Sequence, residues 1–206
     1  MPTLAWPTLA RGKPAEMSWR LLFNNQLGME SPFSRSVQTL EQAGSRWAVH
    51  FVLLNRAEAD WRLLEAWLAQ LRGMAGRFTL YDFSAPNPRG TIGTAGVTVN
   101  GAVAQGAATA TFAGAGNAKT LLRGDKFGVA GEVKIVVGAD FTSDAAGAMA
   151  SVTFEPPVRA SAGWSSGAAV TLASPTATFM LTADSVEKLV RVPKLANVPI
   201  DAVEAY

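Results

Sequence analysis

This sequence predicts a mainly β fold with one amphipathic helix, and three observations carry the prediction. Trp47, Val49, Phe51 and Leu53 recur at period two, the spacing that puts side chains on one face of a strand. Only one stretch, about residues 56–72, has its apolar residues at helical spacing instead. From Gly90 to Ser174 the chain is mostly Gly, Ala, Val, Thr and Ser, broken by turn signals, whereas its flanks are richer in Leu, Trp, Arg and Glu. That shift divides the chain into a β-sandwich-like domain with one helix, residues 1–89 plus 175–206, and a small inserted β-barrel, residues 90–174.

Ser36–Leu40 and Arg46–Leu54 read as a strand pair joined at Gln42-Ala43-Gly44. Ala48, Val52 and Leu54 make the second strand apolar on its other face too, beside Arg46 and His50, which predicts a central strand or one covered by a partner. For the helix, Asn55 is placed to cap the first turn, with Glu58 as the return half of a capping box. Ala57, Trp61, Leu64, Leu68 and Leu71 stack on one face, and Leu63 and Trp67 widen it. Arg72 suits the last turn and Gly73 ends it. Arg77–Asp82 alternates again, with Phe78 and Leu80 against Thr79 and Tyr81.

In the Gly/Ala-rich middle, Val97–Val99 runs into Asn100-Gly101, a hairpin signal because both residues tolerate positive φ. Ala108–Phe112, Phe127–Val129, Val133–Val137 and Ala150–Phe154 follow as short strands, with Asp144–Gly147 as a turn and Pro156-Pro157 as a stop. Thr178–Thr182 reads as a strand returning to the first sheet.

Apolar residues make up 49% and charged residues 17% of 206, a globular composition with length for one full core or a core and a satellite. The 18 basic and 16 acidic residues nearly balance. The pI of about 9.2 therefore reflects a small surplus, and without a basic run nucleic acid is not expected as a partner. There is no cysteine, which excludes disulfides, thiolate metal sites and a Cys nucleophile. No stretch approaches the ~18 apolar residues of a membrane span. The start, Met1-Pro-Thr-Leu-Ala-Trp-Pro, lacks the pattern of a secretory signal, so the chain is expected in the cytoplasm, or outside only after lysis.

Two patterns resemble catalytic motifs. Gly163-Trp164-Ser165-Ser166-Gly167 fits G-x-S-x-G, but a nucleophile elbow needs a strand-to-helix turn and a downstream histidine, and the one histidine is His50. Gly114–Thr120 hints at a phosphate loop, but alanine stands at 113 and 118 where the backbone would need glycine. Both read as loops between strands. His50 alone makes no metal site, and Asp82, Asp125, Asp140 and Asp144 lack the spacing of a calcium loop and read as solvated turn carboxylates. Arg123-Gly124-Asp125 matches an adhesion tripeptide at an expected turn. No catalytic, cofactor or metal residues are assigned, and the chain reads as non-enzymatic.

Of six tryptophans, Trp47, Trp61 and Trp67 fall on periodic faces and read as core. Trp6, Trp19 and Trp164 lie in irregular segments, where an indole either buries itself or marks an interface or ligand contact. Trp164, in a Gly/Ser loop, either fills the barrel mouth or meets a ligand or partner.

Ser31-Pro-Phe-Ser-Arg-Ser-Val-Gln-Thr-Leu40, then Gly44-Ser-Arg-Trp47, the helix through Ala66–Gly73, and Gly76-Arg-Phe-Thr-Leu-Tyr-Asp82 together resemble tail proteins of siphophages and Gram-negative prophages, specifically the distal tail protein. Leu122–Val129 and Val152–Pro157 look like the small barrel such proteins often carry, so the resemblance is specific over 31–90 and loose elsewhere.

The resemblance implies a virion structural protein of the tail tip, assembled in the host cytoplasm. It implies a homohexameric ring around the tail channel that joins the tail tube protein to the central tail hub and baseplate, without membrane or nucleic-acid contact beyond lining the channel. It carries over no site residues and no cofactor. Closed cyclic symmetry suits such a subunit, because it consumes each heterologous interface. The competing readings are another minor tail protein, such as a terminator or completion protein, and a carbohydrate-binding module working through Trp164. A hydrolase using Ser165 is the weakest.

Overall fold

The computed structural model describes residues 3–93, 96–187, 189–191 and 195–205. In chain order the strands are β1 (Thr3–Leu4), β2 (Glu16–Glu30) and β3 (Val37–Arg56), followed by the helix α1 (Glu58–Leu71) and a 3-10 turn at Gly73–Ala75. Then come β4 (Arg77–Tyr81), β5 (Thr98–Val99), β6 (Thr109–Ala113), β7 (Thr120–Leu121), β8 (Lys126–Val129), β9 (Glu132–Val136), β10 (Phe141–Thr142), β11 (Met149–Glu155) and β12 (Val170–Thr171). The last are β13 (Thr176–Leu181), β14 (Leu189–Arg191) and β15 (Leu195–Glu204). The protein is therefore mainly β with one α-helix among the described residues, and that helix is not long and apolar enough to cross a membrane.

One seven-stranded sheet has the order β1-β4-β13-β15-β3-β2, with β14 paired to the start of β15. Strand β13 does return to it, pairing Thr178 with Thr79 and Phe179 with Phe78. Strand β3 is central along its second half, between β15 and β2, and Trp47, Val49, Phe51 and Leu53 all point into the core. Leu64, Trp67 and Leu71 of α1 close over that face, with Trp67 edge-on to Phe78 at 5.1 Å. Burying large aromatic and aliphatic groups on both layers supplies the main stabilising term, about 1.5–3 kcal/mol per side chain.

The second sheet, β12-β8-β9-β11-β6-β5, curls almost shut. Its seam is closed by backbone bonds from Val99 to the Ala168 carbonyl and from Val170 to the Val97 carbonyl, both at 2.9 Å, so its two end strands meet. Phe112, Phe127, Phe154 and Trp164 fill the inside. The two apolar cores draw on different stretches: one on residues 4–83 and 177–202 with Val133 and Ile135, the other on residues 92–172.

Several local expectations are corrected. The predicted turn at Gln42-Ala43-Gly44 does not exist, because β3 runs through it as one strand of 20 residues. Gly44, at φ 120°, sits instead in a bulge, where Ala43–Ser45 oppose the single residue Phe23. The true turn is at Ser31–Ser36, and the partner strand is β2.

Asn55 does not cap α1. Strand β3 stays paired as far as Arg56, opposite Ala196, so Asn55 is used in a left-handed bulge (φ 52°), its amide donating to Asn197 Oδ1. Ala57 takes the cap position without a side-chain bond. The buried stripe is Asp60, Leu64, Trp67 and Leu71, rotated from the predicted one, and Leu63 and Ala57 are exposed. Arg72 is the left-handed C-cap rather than a last-turn residue. Asn100-Gly101 makes no two-residue hairpin: Val99 pairs with Phe112, and the intervening chain crosses to bridge Val103 with Trp164.

Candidate functional site

The feature that sets this molecule apart is an arm. Met17, Trp19 and Leu21 of β2 lie opposite Phe51, Val49 and Trp47 and are half-buried on the core face. Phe23 and Leu27 continue that alternation on the same side of the strand, but there the core has ended, and they are 60% and 78% exposed. Met29, near the tip, is 86% exposed, and Leu40 and Val37 on the returning strand are also open to solvent.

The tip itself is ordered. The Ser31 amide donates to the Ser36 carbonyl at 3.0 Å and the Arg35 amide to the Ser31 carbonyl at 2.9 Å, which holds Phe33 outward at 98% exposure. From Leu22 to Glu30, at ~3.3 Å per residue, the ribbon reaches about 30 Å beyond the core. Strand β2 is also the end of its sheet, so its outer edge carries main-chain donors and acceptors that no described strand meets.

At the root of the arm the barrel is joined to the sheet by buried polar groups. Trp47 Nε1 donates to the Val133 carbonyl at 2.7 Å, and the Trp47 amide donates to Glu204 Oε2 at 2.9 Å. Arg159, arriving from beyond β11, pairs with Glu204 Oε1 and donates to the Ser45 carbonyl at 3.1 Å. Burial pushes the Glu204 carboxyl up, against the pull of Arg159 and the Trp47 amide. Lys134, fully buried, is met by Glu132 at 2.6 Å and donates to the Pro157 carbonyl at 2.8 Å.

Asp82 accepts from Lys126 Nζ and from the Ser84 hydroxyl. Burial alone would raise its carboxyl, yet those donors outweigh burial and hold it below the usual carboxylate range. Lys126 Nζ also lies 4.7 Å from the Trp19 ring and 5.3 Å from that of Trp47, a cation over two indoles at the same joint.

The three flagged tryptophans separate. Trp164 is 1% exposed and stacks on Phe154 at 5.2 Å inside the barrel, so of its two alternatives it takes burial, and the ligand or partner contact is the one corrected. Its bridge to Val103 carries the ring inward from a loop that sequence spacing left ambiguous. Trp6 packs edge-on against Phe51, Trp67 and Phe83, and Trp19 against Phe179, each half-buried in the first core. Of the arm, sequence reading takes in Ser31–Leu40, as a resemblance and a short strand, and singles out none of the exposed residues of β2. The alternation through Met17, Trp19, Leu21 and Phe23 is the signal that locates them.

Around Trp164, the G-x-S-x-G stretch forms a turn between β11 and β12, and no helix follows it among the described residues. Ser166 Oγ accepts from the Gly101 amide at 3.2 Å, and His50 lies on β3, paired to Asp201 at 2.8 Å. Gly114–Thr120 leads into β7. Asp82 and Asp125 are buried rather than solvated as expected: Asp125 accepts from the Arg89, Gly90 and Leu122 amides, so the Arg123-Gly124-Asp125 carboxylate points inward. Asp140 accepts from the Arg123 amide, and Asp144 from those of Ala146 and Ala148 within its predicted turn. Among the described residues no group of acidic or histidine side chains is arranged to hold a metal.

Beside α1, on the helix side of the sheet, lies a cavity of about 130 Å³. Its floor is Leu64, Leu181 and Val198, its walls are Trp61, Leu68 and Val186, and Glu65 and Asp184 stand at its edge. A wider cleft of about 890 Å³ lies between the bulge at 41–45 and the barrel residues Gln105, Gly106 and Pro157–Arg159. No protein-family model and no curated protein matches this chain.

Proposed function

We propose that the protein is a structural subunit of a phage tail tip, a ring component that joins the tail tube to the central hub, with its arm as an assembly element. The observation that carries the reading is the apolar face of β2 running off the end of the core through Phe23 and Leu27 to the tip at Phe33. A two-stranded ribbon is marginal in water by itself, and one that exposes this much apolar surface is suited to being covered by another chain. The residues whose pattern resembles distal tail proteins, Ser31–Leu40, form the tip and returning strand of that arm. The site of action is then the virion, after assembly in the host cytoplasm.

The reading is tested by size-exclusion chromatography with light scattering and by electron microscopy of purified protein and purified tails. A ring of identical subunits, with immunogold label at the tail tip, is the expected result. A chain that is monomeric and absent from tails overturns the reading. Label at the head-proximal end replaces it with a terminator or completion protein.

A further inference from the structure

We infer that Phe33, at the tip of one subunit's arm, seats in the cavity beside α1 of a second copy. This rests on the ring reading and names the contact that would build the ring. The tip turn presents the phenyl ring almost fully to solvent, 98% exposed, on a support fixed by its own backbone bonds. The cavity, about 130 Å³ with an aliphatic floor and an indole wall, has room for one aromatic ring. An apolar cavity of ~150 Å³ takes up benzene, so the volumes correspond.

Length and placement agree. The arm's reach of about 30 Å is that of a small domain, enough to cross a neighbour's surface. Phe23, Leu27 and Val37 share one face of the ribbon that leads to Phe33 at its tip, so a single neighbour can cover them together. Knob and socket are different parts of the same chain, so the contact is heterologous: each subunit gives an arm to the next and receives one. Repetition either closes into a ring or continues as a filament.

The test uses the full chain with a benzophenone-bearing aromatic at position 33, irradiated as an equimolar mixture with an isotope-labelled unmodified copy. Mass spectrometry of the cross-linked peptides is expected to place the adduct on Trp61, Leu68 or Val186 of the labelled copy. In parallel, Phe33→Asp is expected to weaken self-association by on the order of tenfold or more, as loss of a central aromatic anchor does, without moving the thermal midpoint of the dissociated monomer at high dilution. Phe33→Trp is expected to keep the assembly.

Adducts elsewhere on the second copy, or a Phe33→Asp chain that assembles like the parent, overturn this contact and leave the ring reading standing. A parent chain that stays monomeric at every concentration and gives only intrachain adducts overturns both.

Discussion

The indole nitrogen of Trp47 donates to the main-chain carbonyl of Val133 at 2.7 Å, so a side chain in the middle of the long strand β3 grips the barrel strand β9. The adjoining amide of Trp47 is held by Glu204, which also takes Arg159. One residue of β3 therefore belongs to the sheet core, to the joint with the barrel, and to the root of the arm.

Trp47→Phe keeps most of the ring volume and removes the donor, leaving the buried Val133 carbonyl without its partner. The expected loss is about 1–3 kcal/mol, read from the denaturant midpoint at unchanged slope. An unchanged midpoint would show that the bond contributes nothing.

Glu204→Leu removes one partner of a buried pair and strands the Arg159 charge against the sheet. A cost of about 3–5 kcal/mol is expected. The double variant Glu204→Leu with Arg159→Met should recover much of it, which distinguishes an uncompensated charge from a packing defect.

Acid should act on Asp82. Its folded carboxyl lies below the usual range because Lys126 and Ser84 outweigh burial. It therefore contributes stability above its unfolded value that disappears as pH falls through the folded one. Stability is expected to fall as pH drops through and below the ordinary carboxylate range, and Asp82→Asn should be weaker at neutral pH but flatter over that descent. Parallel profiles for the two proteins would refute the assignment.

Trp164→Ala empties the middle of the barrel, and a loss of about 3–5 kcal/mol is expected from thermal unfolding followed by near-ultraviolet dichroism. A glycan contact at this residue would instead leave stability intact and abolish binding on a glycan array.

Gly44 stands at φ 120°, where a branched side chain is strained by about 1–3 kcal/mol. Because the bulge lies where β3 pairs with the arm strand alone, Gly44→Val should open the arm locally. Faster amide exchange over residues 22–30 and 37–43 at an unchanged global midpoint is the expected pattern.

The legible part of this fold was the part with uninterrupted periodicity. Trp47–Leu53, the stretch α1 and Phe78–Leu80 are read from spacing alone, and the return of Thr178 to the first sheet follows from composition. Strand β15 stayed hidden although Ala196, Val198, Ile200 and Ala202 alternate, because Pro199 is a residue that strands seldom hold. Strand β2 stayed hidden along its whole length, and Trp19 reads as irregular, because Asn24-Asn25-Gln26 and Gly28 interrupt its apolar pattern. Gly44 looked like a turn because a bulge and a turn call for the same backbone freedom. As for the candidate site, alternation marks the apolar face of β2 but not where its cover ends. That limit is set by the groups packed at the arm root, Lys126 and Val133 of the barrel and Phe179 of β13, a tertiary quantity.

Strand β3 is unbroken from Val37 near the arm tip to Arg56 beside α1, and its antiparallel bonds to β2 and β15 lie across its axis. A pull on the tip along that axis loads those bonds side by side rather than one after another. The strand would behave as a tendon that yields only when the whole row shears. A force applied sideways at the tip would instead peel the ribbon from Ser36 inward, bond by bond. The same arm is thus stiff to tension and compliant to bending.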